Sequence, residues 1–290
     1  MRAHPSLSVC ALATAAALAL AVGPAPAAAG GTPVRAAKAK SGRSFPWAKR
    51  VRDAARYARG RAGSVSFAVV DERGRMRGVH RGTQYSSASL VKAMLLVAYL
   101  RGARGRELSA SERGLLGPMI RVSDNDAADA IYAQVGPAGL QRLARRAGMR
   151  RFATSPAWGG CQVTAADQAR FFRRIASLLP ERHRGYGLGL LSGIVASQRW
   201  GIPRGAPKGW RVHFKGGWYP ADASGWRVHQ GALLRRGPRR LGVAVLTSGD
   251  PSYDYGATTI AGVAARLLHG YRARPRSRPG PARRSRSGRR

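Results

Sequence analysis

The sequence predicts an α+β fold: an antiparallel β-sheet flanked by N- and C-terminal helices, with an all-helical subdomain set into the middle of the chain. Three observations carry this. Strand-like runs occur at Ser64–Val70 and again from about Trp210 onward. The stretch between, from Ser109 to Leu179, has the 3.6-residue period of helices. Helical patterns also precede the first strand and follow the last.

Each element has a local reason. From Trp47 to Arg59, Trp47, Val51, Ala54, Ala55 and Ala58 recur at near-helical spacing, which makes a basic amphipathic helix. Ser64 to Val70 is rich in β-branched and aromatic residues; Asp71-Glu72-Arg73-Gly74 turns, and Met76 to His80 returns as a short strand. An apolar helix opens around Ser89 and runs to about Leu100. Ser109-Ala110-Ser111-Glu112 starts a helix that reaches about Ile120. Helices follow over Ala127 to Val135 and Leu140 to Ala147, separated by Gly136-Pro137. Phe152 to Gln162 is irregular. Thr164 caps a helix to about Leu179 with Asp167 as its acidic third residue, and a short helix spans Leu188 to Ser197. Trp210 to Phe214, Trp226 to Leu234 and Leu241 to Thr247 read as strands, and Ala257 to Leu268 as the closing helix.

The 290 residues allow a sizeable core. Residues 1–29 read as an export signal: Arg2, an apolar run from Val9 to Val22, and Ala27-Ala28-Ala29 for cleavage. That run is too short and alanine-rich for a good membrane span, no later segment is apolar enough to be one, and Cys10 lacks a lipid-anchor context. Cleavage would leave Cys161 as the single cysteine, which excludes an internal disulfide. Residues 30–44 form a flexible leader. Residues 45–271 form the main domain, with sheet parts at 45–85 and 205–271 and a helical part at 86–204. Residues 272–290, with nine arginines, three prolines and no acid, form a disordered tail. In a secreted chain the tail suits anionic cell-envelope polymers better than nucleic acid, and a solubilising role without a partner is equally open.

The net charge of +38 is written almost wholly in arginine; of 51 basic residues only six are lysines. Arginine does not give up its proton at useful pH, whereas lysine can act as a base. Lys92 stands three residues after Ser89, on one helical face within an otherwise apolar segment. A hydroxyl and an amine there break the local pattern. Ser89 reads as a nucleophile and Lys92 as the group that takes its proton; the alternative is a capping serine with a lysine that snorkels to solvent.

Three short motifs occur in order: Ser89-Leu90-Val91-Lys92, Ser123-Asp124-Asn125 and Lys215-Gly216-Gly217. On them the chain, from Trp47 to Tyr271, resembles the serine β-lactamase and penicillin-binding-protein superfamily, class A β-lactamases most closely. The resemblance implies a β-lactamase/transpeptidase-like fold with neither metal nor organic cofactor. It implies Ser89 as the acylated nucleophile and Lys92 as base or relay. Ser123 would be the proton donor to the leaving nitrogen, Asn125 the holder of Lys92 and of the substrate amide, and Lys215 a positive charge beside Ser123. The backbone amides of Ser89 and Trp218 would form the oxyanion hole. Gly217 would let substrate approach the strand closely, and Arg227 matches an arginine that holds the substrate carboxylate in some members.

Three departures qualify the resemblance. Gly216 replaces a Thr or Ser whose hydroxyl would bind the substrate carboxylate. The interval from Ser89 to Ser123 is short. The loop from Phe152 to Gln162 has no acid where class A enzymes hold a glutamate that activates the deacylating water. Asp167 is the one acid between Asp129 and Glu181, and helix capping already accounts for it. Three readings follow: a weak or atypical β-lactamase acting on β-lactams or D-Ala-D-Ala-like amides; a slow-deacylating penicillin-binding type or an esterase; and a non-catalytic envelope-binding protein on the same fold. His80, His183, His213, His229 and His269 have no metal-like spacing. Trp200, Trp210, Trp218 and Trp226 read as core or groove lining, with Trp218 at the site rim, and Cys161 as a buried thiol.

Overall fold

The computed structural model describes residues 44–220 and 224–271; the signal, almost all of the leader and the tail lie outside the described residues. The first helix, α1 (Trp47–Arg59), leads into β1 (Ser64–Val70) and β2 (Met76–Val79). After β7 (Arg239–Asp250) comes α8 (Tyr253–Leu268), the last helix among the described residues, which packs on α1. With β5 (Arg211–Pro220) and β6 (Trp226–Arg236) these strands form one five-stranded antiparallel sheet in the order β2-β1-β7-β6-β5. Thus β1 pairs with the last strand, Phe67 opposite Val245, and β5 is an edge.

The strands run longer than their apolar centres suggest because antiparallel pairing extends to the polar ends, Arg211 opposite Arg235 and Pro220 opposite Trp226. The middle of the chain supplies α2 (Lys92–Gly102), α3 (Ala110–Arg121), α4 (Asn125–Ala147), α5 (Ala165–Leu178), α6 (Glu181–Ser192) and the single turn α7 (Ile202–Gly205). The Ser109 capping box is complete, with Glu112 bonding back to the cap amide. Within α4, Gly136 sits at φ 61° and ψ 172°, so the two expected helices are present with the break between them. Helix α6 begins seven residues before the expected Leu188, at Glu181.

Two expectations change. The helical block is not wholly helical: β3 (Gln84–Ser86) pairs with β4 (Gln162–Thr164), a ribbon whose three-residue strands are too short to leave an alternating pattern. Ser89 is not on the α-helix proper; it lies on a 3-10 turn, Ala88–Val91, that feeds α2, and Ala88 takes a left-handed φ of 46°. No helix among the described residues is long and apolar enough to cross a membrane.

Under the site, β6 and β7 carry a buried polar chain. The Thr247 amide donates to His229 Nδ1 at 3.3 Å, and His229 Nε2 faces Ser86 O at 3.0 Å. Thr247 Oγ1 lies 2.7 Å from Val228 O and also contacts Asp250 Oδ2. One hydroxyl hydrogen cannot serve both oxygens, so a protonated Asp250 donating to Thr247 completes the set. Burial drives both groups toward neutrality: His229 falls from 6.5 to about 4 and Asp250 rises from 3.8 to about 6.

Their effects on stability oppose each other. Between pH 4 and 6.5 the unfolded chain binds a proton at His229 that the folded chain refuses, so stability falls as pH falls. Between pH 3.8 and 6 the folded chain holds a proton at Asp250 that the unfolded chain releases, so stability is lost as pH rises. In urea unfolding these two contributions should therefore largely offset each other in this window. His229→Gln should lose stability toward pH 6 and Asp250→Asn toward pH 4; parallel profiles for the two variants would refute the assignment.

Candidate active site

The sheet edge and the helical block meet at three motifs. Lys92 is fully buried at the start of α2, and its Nζ donates to Ser123 O (2.6 Å), Asn125 Oδ1 (2.7 Å) and Asp124 O (3.0 Å), with Ser123 Oγ at 3.4 Å. Lys215, also fully buried, reaches in from β5 and donates to Ser123 Oγ at 3.0 Å and to Gly216 O at 2.7 Å. Two amines therefore share one serine hydroxyl. Ser123 is set for this by a left-handed φ of 65°, a strained conformation for a residue with a β-carbon. The next residue, Asp124, caps α4 by accepting from the Ala127 amide at 2.8 Å.

The electrostatics follow from the burial. Removal from water lowers Lys92 from 10.5 to about 8, partly offset by the charges of Asp124 and Asp129. Lys215 is pushed well below its ordinary 10.5 by its own burial and then by the Lys92 charge. Burial and mutual repulsion therefore both oppose full protonation of the pair.

Ser89 is half-buried. Its hydroxyl makes no hydrogen bond to Lys92, whose amine is committed to the Ser123–Asn125 corner. The β5 backbone comes close to the Ser89 turn: a β-carbon on Gly217 would stand 2.5 Å from Leu90 N, 2.8 Å from Ser89 N and 3.0 Å from Ser87 O. Only glycine permits that approach. Trp218 follows on the edge strand, half-buried. Arg227 lays its guanidinium on Tyr219, bonded to the Tyr219 hydroxyl and 5.1 Å from the ring centroid.

Aromatic residues complete the walls. A β-carbon on Gly216 would meet Trp200 at 2.8 Å, so the indole stands where a threonine or serine side chain would begin. Trp200, Trp218 and Trp226 gather around Tyr253 with ring centroids 5.4 to 6.1 Å apart, whereas Trp210 packs with Tyr271 elsewhere. On the other side the Phe152–Gln162 loop sets Trp158 4.6 Å from Lys92 Nζ, and the indole N–H donates to Asp129 Oδ1 at 2.6 Å. The only sequence signal for Trp158 is its place in an acid-free loop.

Asp167 is committed elsewhere. It is buried and accepts from the amides of Arg150 (2.9 Å) and Arg151 (2.8 Å) and from the Arg170 guanidinium (2.8 Å). These bonds tie the end of α4 to α5. Asp167→Ala should cost about 3 kcal/mol of stability by stranding those donors. Its urea midpoint should fall while the chemistry at Ser89 is retained; loss of that chemistry in a folded variant would restore Asp167 as a candidate base. Cys161 is buried with its thiol pushed up by burial, and no cluster among the described residues could hold a metal ion.

Fold and motif placement together define a serine hydrolase of the β-lactamase-like class. The chain belongs to the beta-lactamase enzyme family, whose model matches residues 106–271. The match holds Ser123, Asn125 and Lys215; Ser89 and Lys92 lie upstream and join them through the contacts above. Among solved structures, a β-lactamase from Desulfarculus baarsii DSM 2075 is similar at 20% identity and a TM-score of 0.66, covering 80% of this chain and 100% of its own. A β-lactamase from Sphaerobacter thermophilus DSM 20745 is similar at 19% identity and a TM-score of 0.64, covering 77% and 97%. An ancestral class A β-lactamase is similar at 20% identity and a TM-score of 0.63, covering 76% and 98%. No curated protein matches the chain in sequence.

Proposed function

We propose that the protein is an exported serine hydrolase that forms an acyl-enzyme on Ser89 with a β-lactam or a D-Ala-D-Ala-like amide and releases the acyl group slowly. The observation that carries this reading is the pair of buried amines on the Ser123 hydroxyl, beside the close approach of Gly217 to the Ser89 amide.

In the proposed step Ser89 Oγ attacks the substrate carbonyl carbon and gives its proton to neutral Lys92. The proton passes through Ser123 to the departing nitrogen as the C–N bond breaks. Lys92 must swing from the Ser123 and Asp124 carbonyls toward Ser89, a tightening ordinary on substrate binding. The Ser89 and Trp218 amides receive the oxyanion. A substrate carboxylate near Lys215 would restore that amine's charge, and Arg227, once released from Tyr219, would hold the same carboxylate.

Slow release is favoured over proficient β-lactam hydrolysis because Asp167 is committed to structure and Trp200 occupies the side of Gly216. An esterase with the same nucleophile is the second reading. The arginine-rich tail fits retention on anionic envelope polymers.

Incubation with a chromogenic cephalosporin and, separately, a fluorescent penicillin tests the proposal. Stable labelling, slow colour change and loss of both in Ser89→Ala are expected. Rapid turnover would make the protein an efficient β-lactamase; neither signal would remove β-lactams and leave an esterase or a binder. The labelling rate should climb as pH rises through about 8, where Lys92 loses its proton; a rate that falls over that range would exclude Lys92 as base.

A further inference from the structure

Resting on the acyl-enzyme reading, the geometry points to Trp158 as a fixed wall that denies hydrolytic water the Lys92 side of the ester, with Asp129 as the positioning residue that holds it there. Release of an acyl group requires a water oxygen to bond to the ester carbonyl carbon. One water proton must go to a base, and the bond to Ser89 Oγ must break as that oxygen regains a proton. The step needs a base with a water beside it, and Lys92 is the base of the acylation step.

That amine is closed off. Three of its contacts are to Ser123 O, Asp124 O and Asn125 Oδ1, and the Trp158 ring lies 4.6 Å from it on the loop side. A hydrophobic ring there leaves no polar partner for an ordered water, which needs two to four. Exclusion of water is a recognised way of protecting a reactive intermediate from hydrolysis.

Trp158 is not free to turn. Its indole N–H is held by Asp129 Oδ1 at 2.6 Å, from the second turn of α4. Ser87 Oγ lies 3.3 Å from the carbonyls of both Trp158 and Gly159, and the Ser87 amide donates to Cys161 O at 2.8 Å, tying the loop to the nucleophile turn. Tyr132 donates to Ser155 O at 2.6 Å and fixes the start of the same loop. The loop is thus bonded both to the turn before Ser89 and to α4.

Asp129 has a rival role as the base itself, since it is exposed and its charge reaches Lys92. The two roles differ in what asparagine would do. Asparagine keeps an oxygen for the indole N–H and cannot accept a proton from water.

The test follows release of a fluorescent penicilloyl label from the full chain after excess ligand is removed, with the labelling rate measured separately. Trp158→Ala and Asp129→Ala should release the label roughly tenfold faster or more than the parent, with release read on protein already labelled. Asp129→Asn should release the label at the parent's rate. Added hydroxylamine, a small nucleophile, should speed release in the two alanine variants and not in the parent. Unchanged release in labelled Trp158→Ala and Asp129→Ala would overturn the wall. Slower release in both Asp129→Asn and Asp129→Ala would overturn it by making Asp129 the base. A parent chain that takes no label would sink the acyl-enzyme reading and the wall with it, whereas labelling with unchanged release sinks the wall alone.

Discussion

Lys92→Met should slow acylation of Ser89 by roughly a thousandfold, within the range of lost general-base catalysis. Methionine is the informative replacement because it keeps an unbranched chain of similar volume in the fully buried site while removing the titrating amine. Three acceptors, Ser123 O, Asp124 O and Asn125 Oδ1, then lose their donor. The variant should therefore also be about 3 kcal/mol less stable, which urea unfolding would measure. Lys92→Arg should fare no better, since a guanidinium stays protonated. The measurement is the labelling rate of folded protein against pH. The rise through about 8 should vanish with the amine, and its persistence would place the base elsewhere.

Gly217→Val should be nearly as damaging for a different reason. The first side-chain carbon would press on Leu90 N, Ser89 N and Ser87 O at 2.5 to 3.0 Å, all backbone atoms that cannot rotate aside. The strand and the nucleophile turn must separate, and a misplacement of about 1 Å in a reacting group costs on the order of a hundredfold in rate. The expected result is a folded chain with a depressed melting temperature and labelling slowed by about that factor. Labelling at the parent rate would mean that β5 does not position Ser89.

The fold was legible where local pattern and tertiary packing agree. The α1 and β1 limits and the Gly136 break follow from apolar spacing, β-branching and a glycine before a proline. The Ser109 and Thr164 caps follow from their side-chain oxygens. The ribbon of β3 and β4 was not legible, because three residues give no period and their pairing is set by distant segments.

The site divides in the same way. Lysine in an arginine-rich chain marked Lys92 and Lys215, and the structure brings both to Ser123. The left-handed backbone at Ala88 and Ser123 left no trace in sequence, since neither is the glycine or asparagine that usually signals it. Trp200 explains why position 216 has no side chain, yet it is sixteen residues away and joined only through the fold. Trp158 and Asp129 were passed over for the same reason: their meaning lies in a contact across twenty-nine residues.

The central claim is that a covalent ester forms on Ser89. Intact-mass spectrometry of the full chain after exposure to benzylpenicillin tests it most directly. The account predicts a mass increase of one penicilloyl group, mapped to the peptide that carries Ser89 and absent from Ser89→Ala. An unmodified mass without penicillin turnover, or an adduct that survives Ser89→Ala, would contradict it.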